Sequence, residues 1–335
     1  MCDAVHSWGN LGGRMRRFGF RGTAATILGL SLAGAACASA AVRPPSYAAA
    51  NAGNAASTGG AAPAGAPAAI ALARPEATPD PCSQREVAAN ATRPAWDYAA
   101  STTQCGILET DYGFLSQPLG AGVSQQMLVT SMRYGLTPKL DLRWGIANHI
   151  WQGGGGTESL QGVGDQWLGA RFRFREQGKV SPAMALLYTG KIPVANPAKG
   201  LGSGFVDHQF LFIASRDLGK NHFDFNTVGT VAGSSRGHDG AAQFGMALTR
   251  PITARLSGIL ESYGGAQPGN PNRFGAGFFG ATYTARPQLV LDAAFTRTYT
   301  AGSPRQQVLF GVTYARRAGF STLPKDWAIA RLLGR

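Results

Sequence analysis

The sequence predicts an all-β fold, a closed antiparallel transmembrane β-barrel of about 12 strands, preceded by a signal peptide and a disordered linker. Three observations predict it. Runs of alternating apolar and polar residues repeat from Gly106 to Arg316, each about ten residues long, as a tilted strand needs to cross a bilayer. Tight connections between runs alternate with longer ones rich in Gly and Pro. The N-terminus carries the marks of export.

Alternation is plainest between Asp165 and Lys191. Leu168, Ala170, Phe172 and Phe174 share one parity, and Asp165, Trp167, Gly169, Arg171, Arg173 and Arg175 the other. Successive strand side chains point to opposite faces, so this run has a greasy face and a cationic one. Glu176-Gln177-Gly178-Lys179 supplies a turn, and Pro182 to Lys191 returns. One such hairpin suits a soluble half-buried sheet equally well; the repetition favours a barrel.

Of the 335 residues 15% are charged, with a net charge of +13. A mean hydropathy of −0.07 does not argue against a membrane barrel, because only every second residue meets lipid. The basic excess suits anionic headgroups or anionic solutes. Nucleic acid is disfavoured as a partner, since the Arg and Lys are scattered rather than gathered in a stripe.

Residues 1–40 form an N-terminal extension and signal peptide. Arg16, Arg17 and Arg21 make the basic region, Thr23 to Ala36 the apolar core, and Ala38-Ser39-Ala40 a cleavage site. Residues 41–81 are an Ala/Gly/Pro-rich linker with too few large apolar residues to offset chain entropy. Residues 82–105 make a periplasmic segment in which Cys82 and Cys105 are a disulfide candidate, an even pair in an oxidising compartment. Such a bond would pin Trp96-Asp97-Tyr98 beside the first strand.

The barrel itself covers residues 106–316. Its runs are 106–115, 124–134, 140–151, 165–175, 182–191 and 206–218, then 222–232, 241–250, 254–264, 274–285, 289–299 and 307–316. Short connections at 135–139, 176–181, 219–221, 251–253 and 286–288 alternate with longer ones at 152–164, 192–205, 265–273 and 300–306. Short periplasmic turns and long external loops are the habit of outer-membrane barrels, and an even strand number leaves both barrel ends on one side. Residues 317–335 are a C-terminal tail. Phe320 could supply a terminal aromatic, and Leu323 to Leu333 a short amphipathic helix.

Parity within the runs assigns the two faces. Phe223 and Phe225 oppose Asp224 and Asn226; Leu289, Leu291 and Phe295 oppose Asp292 and Thr296. An Arg or Lys facing lipid at mid-membrane costs about 2–4 kcal/mol, so the polar set should face the lumen. The lumen-lining candidates are Glu109, Asp111, Asp141, Arg143, Asp165, Arg171, Arg173, Asp224, Glu261 and Asp292. They either satisfy interior polarity as a salt-bridged wall or sort solutes by charge at a constriction. Tyr134, Trp144, Trp151, Tyr263, Tyr283 and Tyr299, near run ends, suit interfacial girdles.

No catalytic residue, cofactor site or metal site is expected. The five His have no metal-ligand spacing, and no nucleophile elbow or phosphate loop appears. His208 shares parity with Phe210 and Phe212, the place an outer-wall lipase His would occupy, but a lone His at a strand end is commonly interfacial.

Three segments resemble a known family. Arg133-Tyr134-Gly135-Leu136-Thr137-Pro138-Lys139-Leu140-Asp141-Leu142-Arg143 is similar to its early hairpin. Gly162-Val163-Gly164-Asp165 before Leu168-Gly169-Ala170-Arg171-Phe172, and Gly190-Lys191-Ile192-Pro193, resemble its next two signatures. The family is the outer-membrane β-barrel transporters labelled as putative MetA-pathway phenol-degradation proteins, and the resemblance covers about Cys105 to Arg316. Val194-Ala195 after Pro193 departs from its Thr-Gly. The resemblance implies a channel for small solutes, with small aromatic or hydrophobic compounds favoured. Its partners would be outer-membrane lipid, lipopolysaccharide and, during insertion, the barrel-assembly machinery. A lipid-modifying enzyme and a secreted soluble β-protein are the competing classes.

Overall fold

Alternation carries through into thirteen strands that form one continuous antiparallel sheet in a computed structural model, which describes residue 82, residues 86–300 and residues 306–318. In chain order they are β1 (Ile107–Gly120), β2 (Val123–Thr137), β3 (Leu140–Gly154), β4 (Thr157–Gly162), β5 (Gln166–Arg175), β6 (Ala183–Ile192) and β7 (Asp207–Leu218). They continue as β8 (Asn221–Ser234), β9 (Gly237–Pro251), β10 (Leu256–Gln267), β11 (Asn270–Arg286), β12 (Leu289–Thr298) and β13 (Gln306–Arg317). Successive strands pair, except that β5 pairs with β3 rather than β4, and β1 pairs with both β2 and β13, so the sheet closes on itself. Closure joins the first and last barrel strands edge to edge, the condition for a sheet to sit in lipid. β4, absent from the sequence expectation, pairs only with the outer half of β3. Twelve strands therefore make the barrel.

Ile107 pairs with Arg317, so both barrel termini lie at one end, here the turn end; the opposite one is the loop end. The strands outrun their expected lengths at the loop end. The stretch expected as a loop over 265–273 is strand, apart from the Pro268-Gly269 turn, where Gly269 holds φ +69°. Two-residue turns also join β1 to β2, β3 to β4 and β8 to β9. Residues with φ above zero at Ala121, Gly122, Gly155 and Gly156 close two of them. The expected alternation of loop length thus survives only in part, at 193–206 between β6 and β7 and after β12. The signal peptide, the linker to residue 81 and the tail beyond residue 318 lie outside the described residues.

The wall is the reverse of a soluble protein's. Met246, Phe279 and Phe210 are 61%, 58% and 57% exposed, while Glu109, Asp141 and Arg171 are 0% exposed. An outer face this apolar over so many strands is incompatible with water and suits lipid. Exposed Arg175, Lys179, Lys220, Arg250, Arg255, Arg286, Arg316 and Arg317 collect at the turn end.

Tyr263 corrects the girdle expectation. It is 9% exposed and faces inward, because the parity that turns Glu261 into the lumen turns Tyr263 with it. Trp151, Tyr283 and Tyr299 do face outward. We expect the folded chain to stay in the membrane pellet under sodium carbonate and to migrate faster on gels before boiling than after. Release into the carbonate supernatant would contradict this wall.

Candidate functional site

Residues 86–105 do not lie outside the barrel beside β1; they run through its interior. The segment enters at the turn end, where the Ala89 amide donates to Pro287 O at 2.8 Å, and returns there at Cys105, which is bonded to Cys82. In between it has no regular secondary structure, bending at Pro94, Trp96, Asp97 and Ala100, and several of its amides point at the wall. Asn90 N donates to Glu109 on β1 at 2.7 Å, Trp96 N to Glu261 on β10 at 2.9 Å and Tyr98 N to Asn226 on β8 at 3.1 Å. Ala100 N donates to Ser215 on β7 at 2.7 Å, and Thr103 N to Asp141 on β3 at 3.0 Å. The wall also donates inward: Arg133 Nη1 to Asn90 O and Arg171 Nη1 to Ala99 O, both at 2.8 Å. Trp96 stacks on Tyr263, centroids 4.8 Å apart. An arch pinned to so many strands fills the polar interior that a twelve-stranded barrel would otherwise leave to water.

Inward-facing glycines make the room. A Cβ on Gly113 would stand 2.3 Å from the Arg93 guanidinium, one on Gly245 2.1 Å from the Asp97 carboxylate, and one on Gly135 2.1 Å from Gln104 O. Gly311 does the same for Arg93, and a Cβ on Gly280 would crowd Phe278 at 2.6 Å and Pro94 at 3.1 Å. These were the sequence's signal that something packs inside. Inward parity with no side chain at five positions marks a lumen shaped around another piece of chain.

The ten lumen-lining candidates fall into separate groups. Glu109 and Asp111 share Arg133, at 3.1 and 3.0 Å, and Asp111 also accepts from Ser131 and Thr313. Asp141 holds two guanidiniums, Arg143 at 2.8 Å and Arg171 at 2.6 Å. Asp224 accepts from Ser215 at 2.5 Å and lies 3.1 Å from His222. Asp292 reaches Arg93 of the arch at 3.5 Å, and Glu261 holds Trp96. Arg173 stands apart at the turn end, on Pro138 O and Glu176. Asp165 stands apart at the loop end, 3.7 Å from Lys191 and accepting from Ala195 N at 3.0 Å. It draws the 193–206 loop inward, burying Ala195 and Leu201 beside Ala147 and Ile150. The segments around Asp165 and Lys191, noted separately in the sequence, meet here.

Arg93, Asp97, Arg133 and Lys191 complete the interior and were not among the candidates. Neither was a glutamine ladder across four strands near the loop end. Gln307 donates to Gln117 at 2.7 Å, Gln117 to Gln125 at 2.8 Å, and Gln125 to Gln152 at 3.2 Å. Parity pointed Gln125 inward with Arg133, but a register shift at residue 148 turns Gln152 inward against the parity of Asp141. The adjacency of all four depends on strand register, which was not readable.

Two cavities lie against the arch. One is bounded by Arg93, Pro94, Trp96, Tyr263, Phe278 and Leu309. The other, about 840 Å³ counting its solvent-filled mouth, touches Trp96, Tyr98, Trp167, Arg133 and Arg143. On the outer wall, His208 Nδ1 lies 2.8 Å from Tyr188 Oη and the two rings stack.

No family model and no curated protein matches the chain. Solved structures do. The COG4313 outer membrane channel from Pseudomonas putida F1 superposes with a TM-score of 0.51 at 14% identity, covering 65% of this chain and 98% of that one. That likeness shows the fold, a closed antiparallel β-barrel of the outer-membrane type. The barrel is also similar, more distantly, to the KdgM porin in complex with disordered oligogalacturonate (TM-score 0.43, 7% identity, 62% of this chain and 98% of that one). CymD, a monoaromatic hydrocarbon channel, follows at a TM-score of 0.34 and 9% identity, with 63% and 88% covered.

Glu261→Ala removes the acceptor of the Trp96 amide, and we expect it to loosen the arch by about 1.5–3 kcal/mol, the worth of a hydrogen bond to a charged group. Gly245→Leu should expel Trp96 and Asp97 altogether. Amide exchange at Tyr98 and Ala100 reads both: faster in each variant, with the β-strand amides unchanged. Protection equal to wild type would show that the arch is held elsewhere.

Proposed function

We propose that the chain is an outer-membrane channel for small solutes whose conduction path is closed by its own N-terminal arch. The observation that carries this reading is the contrast between the two sides of one closed wall. Outside is continuously apolar; inside, charged side chains from β1, β2, β3, β5, β10 and β12 pair with neighbours on the wall and also hold the arch. A barrel needed only as an anchor could fill its bore with apolar side chains. Here the filling is a single strand of chain hydrogen-bonded at intervals, with cavities beside it.

In this reading the N-terminal signal is cleaved on export and both barrel termini, at the turn end, face the periplasm. The exposed Arg and Lys at the turn end then meet phospholipid headgroups of the inner leaflet, and the loop end meets lipopolysaccharide. Insertion would use the barrel-assembly machinery. The family resemblance to MetA-pathway transporters supports small aromatic or hydrophobic compounds as cargo.

Planar-bilayer recording tests it. The full chain should conduct little and open rarely. A variant lacking residues 88–103, with Cys82 and Cys105 replaced by Ser, should give steady conductance several-fold higher. Equal, negligible conductance in both would mean that the interior is sealed without the arch and that the channel reading is wrong.

A further inference from the structure

We infer that the cavity between the arch and the wall formed by β2, β3 and β5 to β9 is a binding site for a small aromatic carboxylate, a flat ring bearing one anionic group. The inference rests on the channel reading and names the solute that the channel holds. The cavity presents two kinds of surface. Trp96 and Tyr98 from the arch and Trp167 from β5 give it aromatic faces, backed by Leu187, Leu211 and Val228. Among the described residues its only charged lining residues are Arg133 and Arg143, and no carboxylate lines it. Thr189, Gln209 and Gln243 supply neutral polar groups.

The charge on Arg143 is incompletely answered. It shares Asp141 with Arg171, so one carboxylate serves two guanidiniums. The Arg143 guanidinium lies over the Tyr98 ring at 5.3 Å, and its Nη2 has no hydrogen-bond partner among the described residues. A buried donor without an acceptor costs about 1–3 kcal/mol, and a ligand carboxylate swung against Arg143 would supply the missing acceptor in charge-assisted form. The ring of the same ligand would then lie among Trp96, Tyr98 and Trp167, where flat faces stack. A neutral arene would leave the donor unanswered, and an aliphatic acid would leave the aromatic faces unstacked. Because Trp96 and Tyr98 belong to the arch, occupancy would also bear on whether the arch stays seated.

Calorimetry on the full chain in detergent, with benzoate, cyclohexanecarboxylate and toluene as probes, tests the assignment. Benzoate should bind, and each of the other two should bind about tenfold more weakly. Arg143→Gln should weaken benzoate by about tenfold and leave toluene unchanged, while Trp167→Leu should weaken both. Gel heat-modifiability reports that each variant is folded. No benzoate binding, equal binding of benzoate and toluene, or unchanged benzoate binding in Arg143→Gln would overturn the site. Bilayer conductance of the arch-deleted variant separates the two readings. A conducting barrel without benzoate binding loses the site and keeps the channel, and benzoate binding without conductance does the reverse.

Discussion

A buried charge must be answered, and that constraint organises this barrel. Lipid forbids polar groups on the outer wall, so parity drives every Asp, Glu and Arg of the mid-strand inward. Once there, Glu109, Asp111, Asp141 and Arg171 are cut off from solvent almost completely. Water alone does not reach them, and their partners come from neighbouring strands and from the arch. An isolated buried ion would cost several kcal/mol; each of the charge clusters avoids that by sharing. The arch contributes through its backbone, whose amides and carbonyls suit carboxylates and guanidiniums alike without adding charge.

This division explains why the interior is polar and yet mostly filled. Asp141 joins the two halves of the arrangement: it binds Arg143 and Arg171 of the wall and the Thr103 amide of the arch. Asp97 is the exception. Both of its oxygens lack a hydrogen-bond partner among the described residues, and it is pressed against Gly245 with Glu261 and Asp224 nearby. The arch is therefore least comfortable at its apex, beside Trp96, and best held at its two feet.

Strand parity was legible in the sequence because lipid on one side and charge on the other leave a strict period of two; Phe223-Asp224-Phe225-Asn226 states it in four residues. Turn positions were less legible. Gly and Pro at 265–273 read as a loop because their density was taken for irregular backbone, whereas only Pro268-Gly269 turns and the residues on either side belong to β10 and β11. Tyr263 was read by its place near a run end rather than by its parity, which pointed inward. The arch was the least legible element, since its contacts come from peptide groups that every residue type carries. Only the inward glycines at 113, 135, 245, 280 and 311 betrayed it, and they are meaningful only once a partner for them is suspected.

The bond between Cys82 and Cys105 sits where both feet of the arch meet the barrel rim. Covalent closure there turns the intervening stretch into a handle rather than a loose thread. If it leaves the bore it departs doubled over, still hinged at one point, and its local concentration at the opening stays high. Reseating is then a unimolecular event, as quick after a thousand excursions as after the first, and independent of how many copies crowd the membrane.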